Sequence, residues 1–250
     1  MVSSLPRFIG AALNWGSMEL DERVAIVTGA SSGVGEATAR TLAQRGCSVV
    51  LAARRENRLR SIVQDIGDDI ARAVPTDVTS EDEVDSLIDR TVEVFGQLDI
   101  LVNNAGVLMP DPLAHADRAE LRRQVEVNLL GVISVTHAAL PELLDSGGGD
   151  VVAVSSMNAR YPAESGSAYT SAKFGVNGFC GALRKEVAEE GIRVTTVMPG
   201  PVKTEMRDWE EWDGRALDPG DVAEAIVFAV TRPSHVTVPE LPVSATDMVF

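Results

Sequence analysis

The chain has 250 residues and a formal net charge of −15, with 45% apolar and 24% charged residues. This length suits one domain with a substantial core, and the composition is typical of soluble globular proteins. The acidic charge argues against nucleic acid and anionic membranes as partners, since both need basic surfaces. A high-salt source and an ordinary acidic enzyme are both compatible with it. No uninterrupted apolar run approaches the length of about 18 residues that predicts a membrane span.

Residues 1–17 stand apart from the rest of the chain. They carry one charge, Arg7, and an apolar stretch that is too short and too weakly cationic for a signal peptide. We predict a mobile N-terminal extension, or translation that starts at Met18, followed by a single domain over residues 18–250. Cys47 and Cys180 make no disulfide framework, and we interpret them as free thiols in a reducing cytoplasm.

Apolar runs and helical stretches alternate along the domain, which is typical of a parallel sheet with helices on both faces. One helix is marked by a capping box of Ser80 and Glu83, after which apolar residues recur at helical spacing from Val84 to Phe95. The segment Val236–Val238 is predicted as a last edge strand. The other predicted strands are Val24–Val27, Val49–Ala53, Ile70–Val74, Ile100–Val102, Val151–Val154 and Val194–Met198.

A glycine-rich turn follows the first predicted strand and opens a helical stretch. It runs from Thr28 to Gly35. Three residues separate its first two glycines, and one residue separates the second from the third. Backbone N–H groups and the helix dipole at such a turn attract an anion, and glycine lets a pyrophosphate approach the backbone. A plain strand-to-helix turn is the alternative. The predicted cofactor contacts here are Gly29, Ser31, Ser32, Gly33, Val34 and Gly35.

A hydroxyl, a phenol and an amine are spaced for acid–base chemistry. Tyr169 and Lys173 are four residues apart, so a helix places them on one face, and Ser156 lies thirteen residues before Tyr169. The lysine ammonium is expected to lower the tyrosine pKa from about 10, which would let the phenol exchange a proton with a substrate oxygen. Ser155 is the rival for Ser156, and Tyr161 lacks a lysine four residues on. The histidines and cysteines lack metal-ligand spacing, so no metal site is predicted.

These motifs resemble the short-chain dehydrogenases/reductases, in the single-domain branch of about this length. The resemblance runs from about Leu20 to about Val243. It implies an NAD(P)-dependent oxidoreductase with a Rossmann-type α/β fold, a doubly wound parallel seven-stranded sheet in three αβα layers. The motifs that carry it are Thr28-Gly-x3-Gly-x-Gly35, Asn103-Asn104-Ala105-Gly106, Asn128, Ser156, Tyr169-x3-Lys173 and Pro199-Gly200.

The resemblance implies a role for each catalytic residue. Ser156 holds the substrate carbonyl oxygen, Tyr169 exchanges the proton, and Lys173 binds the nicotinamide ribose besides lowering the tyrosine pKa. Asn128 holds a water that links Lys173 to solvent, with a buried helix-kink residue as the alternative. The resemblance places Asp77 among the cofactor contacts. An Asp at this position also suits the entry to a helix, and one residue can have both roles. Further cofactor contacts at the carboxyl ends of predicted strands are Asp77, Val78, Asn104, Ala105, Gly106, Pro199, Gly200, Val202 and Thr204.

The end of the second strand bears on the choice of nicotinamide cofactor. An Asp or Glu there binds the ribose 2′-hydroxyl of NAD, whereas this chain has Arg54 and Arg55. Guanidinium groups match a 2′-phosphate in charge and geometry. We therefore predict NADP(H), with NAD(H) possible. Ser32 stands where some NADP-binding relatives carry a basic residue, and two solvated arginines are the alternative.

The substrate pocket follows from family position. A flap after Val202 carries apolar side chains among acidic ones, which reads as a lid over the nicotinamide or as an acidic surface helix. Other details resemble relatives that act on small 3-hydroxy acids and short aldehydes, and Arg160 and Arg207 would suit a single substrate carboxylate. The predicted substrate contacts are Ser156, Met157, Tyr169, Met206 and Trp209.

The predicted partners are a small carbonyl or alcohol and further copies of the chain. The family's assemblies cover exposed strand edges, so a homotetramer or a homodimer is expected. Two other functions stay open. A regulator that senses NADP(H) without turnover would not need the intact Ser156, Tyr169 and Lys173. A sugar-nucleotide epimerase or dehydratase shares the Tyr-x3-Lys pair but needs a larger C-terminal domain than the 77 residues after Lys173.

Overall fold

The structure is a computed structural model that describes residues 20–109, 111–164, 166–207, 209, 214–246 and 248, so the predicted N-terminal extension lies outside it. Within these residues, parallel strands form one seven-stranded sheet. The strands are β1 (Val24–Thr28), β2 (Ser48–Ala53), β3 (Ala71–Pro75), β4 (Ile100–Asn103), β5 (Gly149–Val154), β6 (Ile192–Pro199) and β7 (Glu240–Val243). Their order is β3-β2-β1-β4-β5-β6-β7. The chain adds β2 and β3 on one side of β1 and then returns to add β4 and the later strands on its other side. Such sheets bind ligands at the carboxyl ends of the strands where this change of side occurs, here between β1 and β4.

Helices cover both faces of the sheet. They are α1 (Gly33–Gln44), α2 (Glu56–Ile66), α3 (Glu81–Phe95), α4 (Arg118–Val125), α5 (Gly131–Asp145), α6 (Ser167–Glu186) and α7 (Pro219–Val230). One apolar cluster joins the sheet to α1, α2 and α7, and a second joins it to α3, α5 and α6. The doubly wound fold in three αβα layers is therefore confirmed.

The apolar runs form strands because both of their faces are buried. Every residue of β1 and of β6 is buried, which is why these strands are apolar or Thr-rich throughout rather than alternating. The first six predicted strands are confirmed, with ends that move by one or two residues. The last one was placed too early, because Val236–Val238 is a loop and pairing begins only at Glu240. The buried Arg193 donates to the carbonyl of Val236, so this segment is bonded to a side chain and not to the neighbouring strand.

The start of α3 follows the predicted capping box in part. Ser80 is the N-cap and its hydroxyl accepts a hydrogen bond from the Glu83 N–H. The Glu83 carboxylate accepts a hydrogen bond from the N–H of Asp77, which lies three residues before Ser80, and not from the N–H of Ser80. The helix therefore also ties down the turn that leaves β3.

A continuous helix over Arg118–Asp145 joins α4 to α5 through a π-helical turn, Glu126–Leu130. By length and composition it could cross a membrane, which counting uninterrupted apolar runs did not indicate. One such helix is weak evidence, because core helices of soluble proteins meet the same criterion. Here Val132, Val135 and Ala139 are buried against the sheet, which accounts for the apolar composition.

Candidate active site

A cleft of about 540 Å³ lies at the carboxyl ends of the strands. The glycine-rich turn forms one wall, the end of β5 and the start of α6 form the opposite wall, and the flap after β6 closes over it. The predicted catalytic, cofactor and substrate contacts line this cleft except Gly35, which lies behind the turn, and Arg160, which was considered for a substrate carboxylate, is also not in its lining.

The glycine-rich turn is shaped for close approach. Gly29 has a positive φ, and a Cβ there would lie 2.8 Å from the Cα of Ala105. A Cβ on Gly35 would lie 2.4 Å from the Gly29 carbonyl oxygen, so only glycine lets α1 start this close to β1. Ser32 is the N-cap of α1, yet its side chain makes no capping hydrogen bond. The first N–H groups of α1 thus keep donor capacity for an anion, which fits the pyrophosphate of a dinucleotide.

Thr28 joins the turn to the end of β4. Its hydroxyl oxygen accepts from the N–H groups of Asn104 and Ala105, each at 3.0 Å. The Asn104 amide donates to the Thr28 carbonyl at 2.9 Å. The two loops that flank the reversal point of the sheet are therefore held as one unit. The sequence analysis predicted no role for Thr28 beyond its place at the start of the motif. A hydroxyl side chain at the end of a strand could have indicated this link between the two loops.

Arg55 lines the cleft where the chain leaves β2. Its guanidinium donates to the hydroxyls of Ser31 at 3.0 Å and Ser32 at 2.6 Å, and to the Glu205 carboxylate at 2.8 Å. Arg54 is more loosely placed, with its guanidinium 4.0 Å from the Asp77 carboxylate. Two cations and two hydroxyls therefore stand where β2 ends.

Asp77 serves the entry to α3 as well as the cleft wall. Its carboxylate accepts from the N–H and the hydroxyl of Thr79. Burial acts to raise the pKa of Asp77, but these bonds and Arg54 outweigh it and lower the pKa. Val78 beside it is buried against Gly131, where a Cβ would lie 2.8 Å from a Val78 methyl. Both predicted roles of Asp77 are thus compatible with its position.

Helix α6 presents Tyr169 and Lys173 on one buried face, as their spacing predicts. The Ser156 hydroxyl lies close enough to Tyr169 to lower the pKa of the phenol, and both side chains line the cleft. The Lys173 Nζ donates to the Val154 carbonyl at 2.8 Å and lies 5.6 Å from the Tyr169 ring centroid. Ser155 is buried and donates to the Lys173 carbonyl, so its hydroxyl supports the helix and Ser156 is the one that meets the phenol.

The pKa of Tyr169 departs from the sequence-based expectation in direction. Burial raises it above the usual value, and the hydrogen bond with Ser156 lowers it only in part. Burial also lowers the pKa of Lys173 to about 8, because the low-dielectric interior disfavours the ammonium. Desolvation of both groups therefore outweighs their mutual effect, and the phenol keeps its proton at neutral pH.

Asn128 lies in the π-helical turn and is completely buried. Its amide donates to the carbonyls of Val107 and Gln124, both at 2.8 Å, and its oxygen accepts from the Val107 N–H at 3.1 Å. The side chain thus fastens the loop after β4 to the helix. π-Helical turns are frequent at functional sites, and the water-holding role of Asn128 stays a prediction.

The flap begins with Val202 and returns at Leu217, and backbone pairing between these two residues closes its base. The Trp209 indole donates to the Thr204 carbonyl at 2.8 Å. Met206 reaches over the cleft, with its Cε 3.7 Å from a Cβ built on Gly106. Residues 204–207 form bends and turns, and the rest of the segment considered as a surface helix lies largely outside the described residues. Trp212 lies outside the described residues.

Two further residues bear on the substrate end of the cleft. Met248, near the C-terminus, lines it beside Gly200, and no sequence signal beyond an apolar residue in a polar tail marked this position. Arg160, considered for a substrate carboxylate, forms an ion pair with Glu240 of β7. Among the described residues, no group of three or more His, Cys, Asp or Glu is placed to hold a metal ion.

A family model described as short chain dehydrogenase matches residues 23–213 of the chain. The chain belongs to the short-chain dehydrogenase family. As a member it is an oxidoreductase of the NAD(P)-dependent kind, and the cleft at the carboxyl ends of its strands is where the family's motifs converge.

Relatives of known sequence and structure agree with this assignment. An uncharacterized oxidoreductase of Staphylococcus haemolyticus is 39% identical over 226 residues, which cover 90% of this chain and 98% of the relative. One from Staphylococcus saprophyticus is 38% identical over 230 residues, with the same coverage. The crystal structure of 3-ketoacyl-(acyl-carrier-protein) reductase from Brucella melitensis, complexed with NADH, superimposes with a TM-score of 0.85 at 32% identity. That match covers 90% of this chain and 98% of the reductase.

Proposed function

We propose that this short-chain dehydrogenase transfers a hydride reversibly between NADP(H) and a small carbonyl compound or secondary alcohol. The observation that carries the proposal is that Ser156, Tyr169 and Lys173 line the same cleft as the glycine-rich turn. A bound nicotinamide supplies or accepts the hydride. The chain's own residues orient the oxygen of the substrate and move its proton.

Ser156 and Tyr169 both face the substrate oxygen in this proposal. During reduction, negative charge develops on that oxygen, and the Ser156 hydroxyl stabilises it by donating a hydrogen bond. Tyr169 then gives its proton, which is favourable even with a raised pKa because an alkoxide is a far stronger base than a phenolate. Lys173 contributes its ammonium to the nicotinamide ribose, and Asn128 holds the water through which the proton is replaced.

The preference for NADP(H) is supported by the charges at the end of β2. Arg55 with Ser31 and Ser32 offers guanidinium and hydroxyl donors in one cluster, which suits the three oxygens of a 2′-phosphate. Of the two carboxylates beside these arginines, Asp77 accepts hydrogen bonds from Thr79 at the entry to α3, and Glu205 pairs with Arg55 itself. NAD(H) stays a possible second cofactor.

The substrate is proposed to be a short aldehyde or a small 3-oxo or 3-hydroxy acid. Met157, Met206 and Trp209 give the cleft an apolar end. Arg207 belongs to the same wall and lies over the Trp209 ring at 6.0 Å, which leaves a cation near the place of a substrate carboxylate.

We further propose a homotetramer, or a homodimer, located in the cytoplasm. The strand β7 stands at the end of the sheet, and sheet edges are usually covered in stable proteins. Phe174 on α6 is 45% exposed and Phe228 on α7 is 46% exposed, and a second copy of the chain packed on these helices would cover them. Light scattering coupled to gel filtration measures the assembly directly.

The deciding experiment follows NADPH and NADH oxidation at 340 nm across short aldehydes, ketones and 3-oxo acids. We expect turnover with NADPH, and we expect Tyr169→Phe to lower kcat by at least about a thousandfold, because it removes the transferred proton. Tyr161→Phe removes the chain's other phenolic hydroxyl. Tyr161 is half-exposed and does not line the cleft, so this variant should keep full activity.

Each result has a definite meaning. If Tyr169→Phe retains wild-type turnover, the proposed acid–base role is wrong. If no carbonyl is reduced although NADPH binds tightly, the protein is a regulator that senses the cofactor and not the enzyme proposed. If NADH is the better reductant with every substrate, the preference assigned to Arg54 and Arg55 is wrong while the hydride-transfer proposal stands.

A further inference from the structure

One carboxylate from the flap lies among the cations that end β2. Glu205 accepts from the Arg55 guanidinium at 2.8 Å through one oxygen and pairs with the Arg58 guanidinium through the other. The contact joins residues 150 positions apart in the sequence. Glu205 lines the main cleft together with Arg55, so the contact is made at the mouth of the cofactor site.

Glu205 offers the cluster the same chemistry as a 2′-phosphate. Both are anions whose oxygens accept hydrogen bonds from the fork of a guanidinium. The Arg55 guanidinium already spends its Nε and one terminal nitrogen on Ser31 and Ser32, and its other terminal nitrogen on Glu205. Three of the five N–H donors of Arg55 are thus engaged, and a phosphate that binds its terminal nitrogens meets the Glu205 carboxylate on one of them.

The pair is placed so that exchange is feasible. Arg55, Arg58 and Glu205 have about half of their side-chain surface exposed, at 45%, 51% and 53%. Exposed ion pairs are weak and break readily, since water and salt compete for both partners. The two arginines lower the pKa of the Glu205 carboxyl to about 2, so the carboxylate stays charged at every pH at which the protein works.

We propose that Glu205 is a specificity-determining residue that competes with the cofactor 2′-phosphate for Arg55 and Arg58, and thereby limits the preference for NADP(H) over NAD(H). The proposal rests on the proposed function in that it takes the end of β2 as the 2′-phosphate site. It adds a residue from the flap, far away in sequence, to a selection otherwise assigned to β2.

Binding of 2′,5′-ADP and of 5′-AMP, measured by titration calorimetry, isolates the 2′-phosphate without any turnover. We expect Glu205→Gln to bind 2′,5′-ADP about threefold to tenfold more tightly than the wild type, as expected when a weak exposed competitor is removed. Binding of 5′-AMP should change by less than about twofold, because it lacks the competing group and the lost charge is screened.

Two controls separate competition from a general charge effect. Glu56→Gln removes a carboxylate that is next to Arg55 in sequence but pairs with Arg60, so it should leave the ratio of the two affinities unchanged. In a background with Arg55→Ala and Arg58→Ala, Glu205→Gln should have no effect, because nothing remains to compete for.

The outcomes are distinct for the two proposals. Unchanged or weaker 2′,5′-ADP binding in Glu205→Gln overturns the competition, and so does an equal gain in Glu56→Gln. If the wild type binds 5′-AMP as tightly as 2′,5′-ADP, the proposed NADP(H) preference is wrong. Even then, a gain that appears only for 2′,5′-ADP in Glu205→Gln would support Glu205 as the competitor.

Discussion

Tyr169 and Lys173 illustrate how burial outweighs a neighbouring charge at the scale of single residues. An amine near a phenol favours the phenolate, and this alone would bring the tyrosine pKa down. In the folded protein both groups are removed from water, and that shift acts on each of them in the direction of its neutral form. At pH 7 the pair is therefore a neutral phenol next to an ammonium, which suits donation of a proton during carbonyl reduction.

The lowered pKa of Lys173 predicts a pH dependence of cofactor binding. If its ammonium binds the nicotinamide ribose, the dissociation constants of NADH and NADPH should rise by about tenfold between pH 7 and pH 9.5, as a charge-assisted hydrogen bond is lost. Fluorescence titration over this range measures the effect. The cofactor phosphates are fully ionised throughout, since the second pKa of a phosphate monoester is about 6.

Lys173→Met is the control for this titration. It should bind the cofactor weakly at every pH and lose the transition near pH 8, and a transition that persists in the variant would assign it to another group. The same shift affects stability. Because the pKa of Lys173 falls from 10.5 to about 8 on folding, the unfolded chain binds more protons between these values, so this group makes the protein more stable as pH rises through that window.

At the scale of elements, the start of α1 depends on the absence of a side chain at Gly35. The Gly29 carbonyl, in the turn directly after β1, lies too close to where a Cβ on Gly35 would have to be. Backbone cannot move aside as the end of a flexible side chain can. The contact therefore couples the packing of α1 on β1 to the shape of the turn that is predicted to hold the pyrophosphate.

Gly35→Ala is expected to lower the free energy of unfolding by about 1–3 kcal/mol, as overpacking does. It should also weaken NADPH binding by at least about tenfold, because α1 and its N–H donors must shift. Thermal unfolding and fluorescence titration measure the two effects. Gly220→Ala in the first turn of α7, where a Cβ meets open space, should stay within about 0.5 kcal/mol of the wild type. Equal behaviour of the two variants would contradict the steric argument.

At the scale of the whole molecule, a buried ion cluster ties the amino-terminal side of the sheet together. Asp150 of β5 receives two hydrogen bonds from Arg193, its partner across to β6, and one from Arg23 before β1. Both arginines also donate to the carbonyl of Val230 at the end of α7. The residue before β1, the starts of β5 and β6 and the end of α7 thus meet at the amino ends of the strands, opposite the cleft.

Asp150→Asn should therefore affect stability and leave catalysis unchanged. Removing one partner of a buried ion pair costs about 3–5 kcal/mol, which for a chain of this size lowers Tm by about 10 °C. Below the unfolding transition, kcat/KM should equal that of the wild type. Glu224→Gln breaks only the exposed pair with Arg45 and should change stability by less than about 1 kcal/mol. A large loss of kcat/KM in Asp150→Asn would show that the two edges of the sheet are coupled.

The sequence by itself determined the features that depend on neighbours along the chain. Continuous apolar runs predicted the first six strands. The four-residue spacing predicted that Tyr169 and Lys173 share one helical face. Both patterns reflect local backbone geometry. The alternation of strands and helices gave the doubly wound sheet. The glycine-rich turn and the strand ends predicted the side of the sheet at which the cleft lies.

Tertiary structure alone decided the features that depend on distant contacts. The direction of the Tyr169 pKa shift depends on burial, which several packed elements produce together. Glu205 meets Arg55 across 150 positions, and Met248 reaches Gly200 from the C-terminal segment. The strand β7 starts only at Glu240, and the loop before it is bonded to Arg193 of β6 through the Val236 carbonyl. No local pattern encodes such contacts, since they arise from how whole elements pack against one another.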